Sequence, residues 1–228
     1  NGRIGLNVVA GWNKPEYEAF GSELPSDHKD RYSMAQEWYD YVSRLWTEKE
    51  AFNWNGNYYN GKGVYSLPHP VQPQIPIINA AASEEGRSFA MRNADFLFTP
   101  VFDFDQARAT VKDISDRAKS VGRNVGILTF CTVVCRPTQK EAEEYLHWYA
   151  SEHADWTAVD NLMKLQGMHA QSFTKEALML FKDRFAAGHG GFPLVGTPDH
   201  VAKQLELLSN TGIAGTTLSF VDYAKEFP

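Results

Sequence analysis

Val125 to Cys135 read VGILTFCTVVC, a run without charge or proline in which β-branched and aromatic residues dominate. A continuous apolar run of this kind is a strand covered on both faces, the form that strands take in parallel sheets. Its flanks agree. Upstream, DQARATVKDISDRAKSVG (105–122) reads as a helix ending at Gly122. Downstream, TQKEAEEYLHWYASEHAD (138–155) reads as the next helix.

The pattern extends outward from there. RIGLNVVA (3–10), PIINAA (76–81), DFLFTPVF (95–102) and GTTLSFVDY (215–223) read as further strands. DRYSMAQEWYDYVSRLWTEKE (30–50) is an amphipathic helix, and SEEGRSFAMRNA (83–94) is a helix capped by Ser83. TPDHVAKQLELLSNTG (197–212) has Thr197 as cap, Pro198 in the first turn and Gly212 at its end. FNWNGNYYNGKGVYSLPHPVQPQ (52–74) is an excursion rich in Asn, Gly and Pro, and residues 156–190 read as an inserted helical region. Five strands separated by crossovers long enough for helices predict an α/β fold with a parallel sheet. A doubly wound sheet and a (β/α)8 TIM-barrel both fit this order, although five strands do not close a barrel. The chain starts inside a strand and stops just after one. The expectation is a single partial barrel domain over residues 1–228, covering about strands 4–8 of a longer barrel.

Composition narrows the function. The chain has 228 residues, 43% hydrophobic and 13% aromatic, enough for a substantial core. Its net charge of −6 is spread along the sequence, so no basic stripe exists to neutralise phosphates and no nucleic-acid partner is expected. No run of about 18 apolar residues is present, so no membrane span is expected. Cys131 and Cys135 lie in the same strand, roughly 13 Å apart at about 3.3 Å per residue, too far for a disulfide. Two free thiols fit a reducing cytoplasm, with core packing as their main role.

No phosphate-loop, zinc-protease, nucleophile-elbow or dinucleotide-fold signature occurs. His147 and His153 are six apart on a helix and face different ways, a poor metal pair. Polar groups at the carboxyl ends of strands remain, where barrels place their sites. Asn7 and Val9 share a strand face, and an amide there reads a ring edge or satisfies local backbone. Ser83 follows small residues and opens a helix, which suits either a phosphate or a plain cap. Glu84 and Glu85 in that turn oppose an anion unless they point away. Arg31 and Tyr32 open the first long helix and either offer a guanidinium and a phenol for the same anion or are a solvated Arg and a core Tyr. GHGGFPLVG (188–196) is glycine-rich and carries His189, so residues 186–196 are expected to form a mobile lid or a turn before the Thr197 cap.

Together these stretches resemble the bacterial-luciferase-like flavin monooxygenases along essentially the whole chain. The similarity is strongest toward pyrimidine oxygenases and dimethyl-sulfone or alkanesulfonate monooxygenases. GRIGLNVVAGWNKPE resembles the family's fourth strand and the loop after it. DRYSMAQEW resembles its Arg-Tyr helix start, INAAASEEGRSFAMRNADFLF its small-residue and Ser turn, and LVGTPDHVAKQL its late helix cap. The resemblance implies FMN, reduced as FMNH2, with Asn7 and Glu16 contacting the flavin and Arg31, Tyr32 and Ser83 holding chiefly its phosphate end. It implies a two-component monooxygenase of a small organic substrate, using O2 and a separate flavin reductase; the chain is further expected to form a homo-oligomer, and His189, from its glycine-rich stretch, to deliver protons to a bound substrate. The fragment by itself is expected to be inactive. Where alkanesulfonate enzymes carry Arg and His, this sequence has Phe130 and Thr132, which points to a smaller, less anionic sulfone or pyrimidine. A deazaflavin-dependent oxidoreductase of the same fold and a non-enzymatic flavin-binding relative are the alternatives.

Overall fold

The computed structural model describes residues 2–166 and 175–226. It contains β1 (Leu6–Val8), α1 (Lys14–Ala19), α2 (His28–Thr47), β2 (Phe52–Asn55), β3 (Asn60–Val64), β4 (Ile77–Ala80), α3 (Glu84–Asn93) and β5 (Phe96–Phe98). There follow α4 (Phe104–Ser120), β6 (Gly126–Cys135), α5 (Gln139–His147) and a π-helical turn (Trp148–Glu152). The chain continues with α6 (Trp156–Leu165), α7 (Lys175–Gly188), β7 (Phe192–Gly196), α8 (Pro198–Ser209), β8 (Gly215–Phe220) and α9 (Tyr223–Glu226). These elements form two compact units. The first runs to Leu97 and takes back Val121–Val125; the second holds Phe98–Ser120 and the chain from Gly126 onward.

In the first unit β1 pairs parallel with β4, Leu6 opposite Ile77 and Val8 opposite Asn79. Val8 and Ile77 point inward and are buried, while Asn7 on the other face of β1 is exposed. α2 covers α3 through Phe89, which is fully buried with its ring 5.8 Å from that of Tyr32 and 6.2 Å from that of Tyr39. The excursion at 52–74 is more ordered than its composition suggests, because β2 and β3 form an antiparallel hairpin. Glu37 of α2 holds the turn of that hairpin. Its carboxylate accepts from the backbone N–H groups of Asn57, Tyr58 and Tyr59 at 2.8–3.2 Å and from Trp54 Nε1 at 3.3 Å.

The second unit is built around β6, the strand that the apolar run predicts. β6 pairs parallel with β7, Cys131 opposite Phe192, and with β8, Leu128 opposite Gly215. Ile127, Val133, Val134, Leu194 and Leu208 fill its core with Ile114 of α4. Cys131 and Cys135 are both unpaired thiols. Thr138 and Glu141 form a reciprocal capping box at the start of α5, and Thr197 caps α8. Arg136, just after β6, pairs with Glu226 of α9 and lies over the ring of Tyr145.

Several expectations require correction. The helix over 138–155 stops at His147 and gives way to the π-helical turn. The strands over 3–10, 95–102 and 215–223 shorten to Leu6–Val8, Phe96–Phe98 and Gly215–Phe220, with Tyr223 opening α9. Residues 192–196 are a strand rather than part of a glycine-rich lid, because Phe192 and Leu194 alternate into the core while Pro193 faces out. The inserted helical region is seen as α6 and α7, its residues 167–174 lying outside the described residues. A closed set of eight barrel strands is absent among the described residues. Among them, no helix is long and apolar enough to cross a membrane.

Candidate functional site

The polar residues singled out in the first unit collect around the end of β1, the start of α2 and the start of α3. Asn7 lines a cavity of about 310 Å³ together with Tyr17, Met34, Trp38 and Tyr59. Beyond β1, Gly11 takes a positive φ of 91°, and a side chain there would collide with Tyr17. The loop therefore turns sharply into α1, a helix the sequence reading does not anticipate. Glu16 sits exposed in the first turn of α1.

Arg31 fastens this loop to α2. Its Nη1 donates to Gly11 O at 3.2 Å and its Nη2 to Ser26 O at 3.0 Å, while its buried Nε has no partner among the described residues. Arg31 is thus a brace for the loop after β1, a role that local sequence does not reveal.

Tyr32 and Ser83 meet at α3. Ser83 Oγ accepts from Gly86 N at 3.2 Å and so caps the helix, as its position predicts. A Cβ built on Gly86 would clash with both the Tyr32 hydroxyl and Ala81. Glycine in a helix interior costs about 1 kcal/mol relative to alanine. Its presence here lets the Tyr32 hydroxyl rest against the first turn. Burial raises the Tyr32 pKa, while the neighbouring Asn79 amide lowers it; Glu85 raises it further and Arg31 opposes that. Glu84 and Glu85 line a polar groove of about 580 Å³ between α2 and α3, together with Lys29, Gln36, Asp40 and Arg92.

Asn79 is the residue that the sequence reading passes over. It is fully buried at the carboxyl end of β4, and its Nδ2 donates to Val8 O at 2.7 Å. Its Oδ1 is buried without a partner among the described residues, an arrangement that costs about 1–3 kcal/mol. The available signal was a single amide closing an otherwise apolar strand.

His189 lies in the second unit, in the turn between α7 and β7. It is exposed, with φ 55°, its ring 5.2 Å from that of Phe185 and its Nε2 3.1 Å from Gln166 Nε2. Gly191 packs on Thr132 and Phe130, so this turn is tightly seated. Phe130 stacks on Phe98 at 5.9 Å, and Thr132 Oγ1 donates to Gly188 O at 3.0 Å. Neither position carries a charge. Among the described residues, no group of three or more His, Cys, Asp or Glu is arranged to hold a metal ion.

Parallel strands covered by helices, with polar side chains gathered at strand ends and a helix N-terminus, define the class of α/β proteins that bind ligands at the carboxyl ends of their strands. Within that class, the family model of luciferase-like monooxygenases matches residues 1–215, and the chain belongs to this family. The chain is 29% identical to an FMNH2-dependent dimethylsulfone monooxygenase of Pseudomonas putida, over 99% of this chain and 63% of that protein. It is 30% identical to a pyrimidine monooxygenase, RutA, of Yersinia enterocolitica, over 98% of this chain and 62% of that one. It thus spans just over three-fifths of the length of these curated relatives. Among solved structures it resembles DmoA from Hyphomicrobium sulfonivorans, with a TM-score of 0.78 and 24% identity over 96% of this chain and 57% of that one. It also resembles the EDTA monooxygenase EmoA of Chelativorans, with a TM-score of 0.77 and 20% identity over 96% of this chain and 61% of that one. These likenesses bear on the fold.

Proposed function

We propose that the chain is the oxygenating component of a two-component flavin monooxygenase acting on a small sulfone- or pyrimidine-type substrate. One observation carries the reading: Tyr32, Ser83 and Gly86 meet at the first turn of α3. Two hydroxyls and the positive end of a helix suit a phosphate group, and the absent side chain at Gly86 leaves them close together. These residues fit the phosphate end of FMN, with Arg31 adding positive charge and bracing the loop. Asn7 and Glu16, on and after β1, would face the rest of the flavin. Reduced FMN, when bound, supplies the oxygen-activating chemistry. The protein's own part is to hold the phosphate, exclude water and orient the substrate. His189 is proposed to manage a proton on the substrate. Phe130 and Thr132 bring no positive charge to β6, which favours a neutral substrate over a long alkanesulfonate.

In this reading β1, β4, β5, β6 and β8 correspond to strands four to eight of a (β/α)8 barrel, forming one domain with the helical region at about 156–190 inserted. A separate reductase delivers the reduced flavin, O2 is co-substrate, the protein is cytoplasmic and the assembly is a homo-oligomer. Flavin fluorescence titration tests the site. FMN should bind more tightly than riboflavin, and Arg31→Ala should weaken FMN roughly ten- to hundred-fold, the worth of a charge-assisted contact. Equal affinities for the two flavins would remove the phosphate site. Oxygen consumption with reduced FMN, dependent on an added sulfone or pyrimidine, tests the reaction and separates it from deazaflavin-dependent hydride transfer.

A further inference from the structure

Arg184 of α7 is a cation that the site described above leaves unused. Its Nη2 donates to Phe102 O at 2.8 Å, just beyond the carboxyl end of β5. Its Nη1 is buried and has no partner among the described residues. That nitrogen carries two hydrogens, and a buried donor without an acceptor is costly. The head group is seated among aromatic rings. It lies 5.5 Å from the centre of the Phe102 ring, which packs edge-on against Phe181 at 4.7 Å. Phe181, Arg184 and Gly188 share one face of α7, being three and four residues apart. Gly188 fixes that face to β6, because its carbonyl accepts from Thr132 Oγ1 at 3.0 Å. The guanidinium is thus held past the carboxyl end of β5 by a helix anchored on β6, and parallel sheets bind ligands at the carboxyl ends of their strands.

We infer that Arg184 determines substrate specificity, its Nη1 donating to an acceptor oxygen of the substrate. Both substrate classes proposed above carry such an oxygen: a sulfonyl oxygen in a sulfone, a carbonyl oxygen in an oxidised pyrimidine. β6 offers no positive charge at Phe130 and Thr132, and α7 brings one instead. A neutral oxygen suits the place better than an anion. Burial disfavours the charged guanidinium, and the carboxylate of Asp103, the residue after Phe102, opposes this, so the cation already has a counter-charge. What it lacks is an acceptor for Nη1. The role rests on the substrate reading proposed above and deepens it by naming the group that recognises the oxygen.

Ligand-observed NMR titration of this chain provides the test, with two pairs of probes that differ chiefly in their oxygens. Dimethyl sulfone is compared with dimethyl sulfide, and uracil with pyrimidine. The wild-type chain should prefer the oxygenated member of one pair, and the pair it prefers tells sulfone from pyrimidine. Arg184→Lys keeps the charge and can still donate to Phe102 O, but it lacks the second nitrogen of the fork. It should weaken the preferred oxygenated probe about tenfold, the scale of one hydrogen bond from a charged group, and leave the oxygen-free probe and the melting midpoint close to wild type. Arg184→Met removes both donors and should weaken the oxygenated probe at least as much. If it also lowers the melting midpoint, Arg184→Lys still decides, because that variant retains the brace to Phe102. Wild-type affinity for the oxygenated probe in Arg184→Lys would overturn the assignment, leaving Arg184 as a brace and the substrate reading intact. Equal weakening of both members of the pair would be general damage and would overturn it too. If the wild-type chain prefers neither oxygenated probe, the substrate reading fails and the role of Arg184 fails with it.

Discussion

Glu37 is one acidic residue among several on α2, yet the hairpin turn of β2 and β3 closes on it. Burial favours its neutral form, but donation from Tyr59, Tyr58, Trp54 and Asn57 outweighs this and holds its pKa below the ordinary 4.5. A carboxylate with a depressed folded pKa adds stability that is complete above its unfolded pKa and is lost as pH falls through the folded value. Glu37→Gln should therefore lower the thermal midpoint at pH 7, and the gap from wild type should shrink as pH falls below 4.5. Melting curves of both proteins from pH 7 to pH 3 check this; a gap independent of pH would show that the carboxylate charge does not hold the turn. The sequence could not announce Glu37, because its partners lie 17–22 residues away in a turn whose shape is set by tertiary contact. Ser83 was legible because a cap acts on a backbone N–H three residues ahead. Arg31 was legible as a charge near the site, but its two loop carbonyls were not, since they depend on how Gly11 and Ser26 fold back.

The packing of α2 on α3 is the element on which the candidate site stands. Phe89 fills the space between Tyr32 and Tyr39 and is fully buried, so Phe89→Ala should destabilise the first unit by about 3–5 kcal/mol. FMN affinity should fall as well, because Tyr32 loses the ring that seats it. Denaturant unfolding together with flavin titration measures both, and an unchanged midpoint would mean that the helices close over the gap. Helices α2, α3, α4 and α8 were readable from the 3.6-residue period and their end signals, which are local. β7 was not, because FPLVG after two glycines looks like a turn. It is a strand because Phe192 and Leu194 have a core to enter and because, among the described residues, it pairs with β6 alone, so the missing N–H of Pro193 can face away from the ladder. The hairpin of β2 and β3 was hidden in the same way, its Asn and Gly residues marking the turn and its short strands carrying few apolar residues.

For the molecule as a whole, the proposed reaction requires that reduced flavin be spent on substrate rather than lost to solvent. The glycine-rich stretch around His189 was expected to serve this by moving. Its seating argues for a fixed element instead. Gly188 and Gly191 lie against Thr132, and a Cβ on Gly191 would approach Thr132 Oγ1 to 2.6 Å and the Phe130 ring to 3.1 Å. Gly191→Ala should accordingly cost about 1–3 kcal/mol of stability through overpacking. His189 projects from this closely packed turn with an exposed ring, so His189→Ala should leave the melting midpoint nearly unchanged. The two variants separate scaffold from chemistry. If His189 manages a proton on the substrate, His189→Ala will release more hydrogen peroxide per reduced flavin oxidised, with FMN affinity close to wild type. Peroxide yield measured against oxygen consumed, with and without a sulfone or pyrimidine, decides the matter. Wild-type coupling in His189→Ala would take the histidine out of the reaction and leave the turn between α7 and β7 as a support for β6 alone.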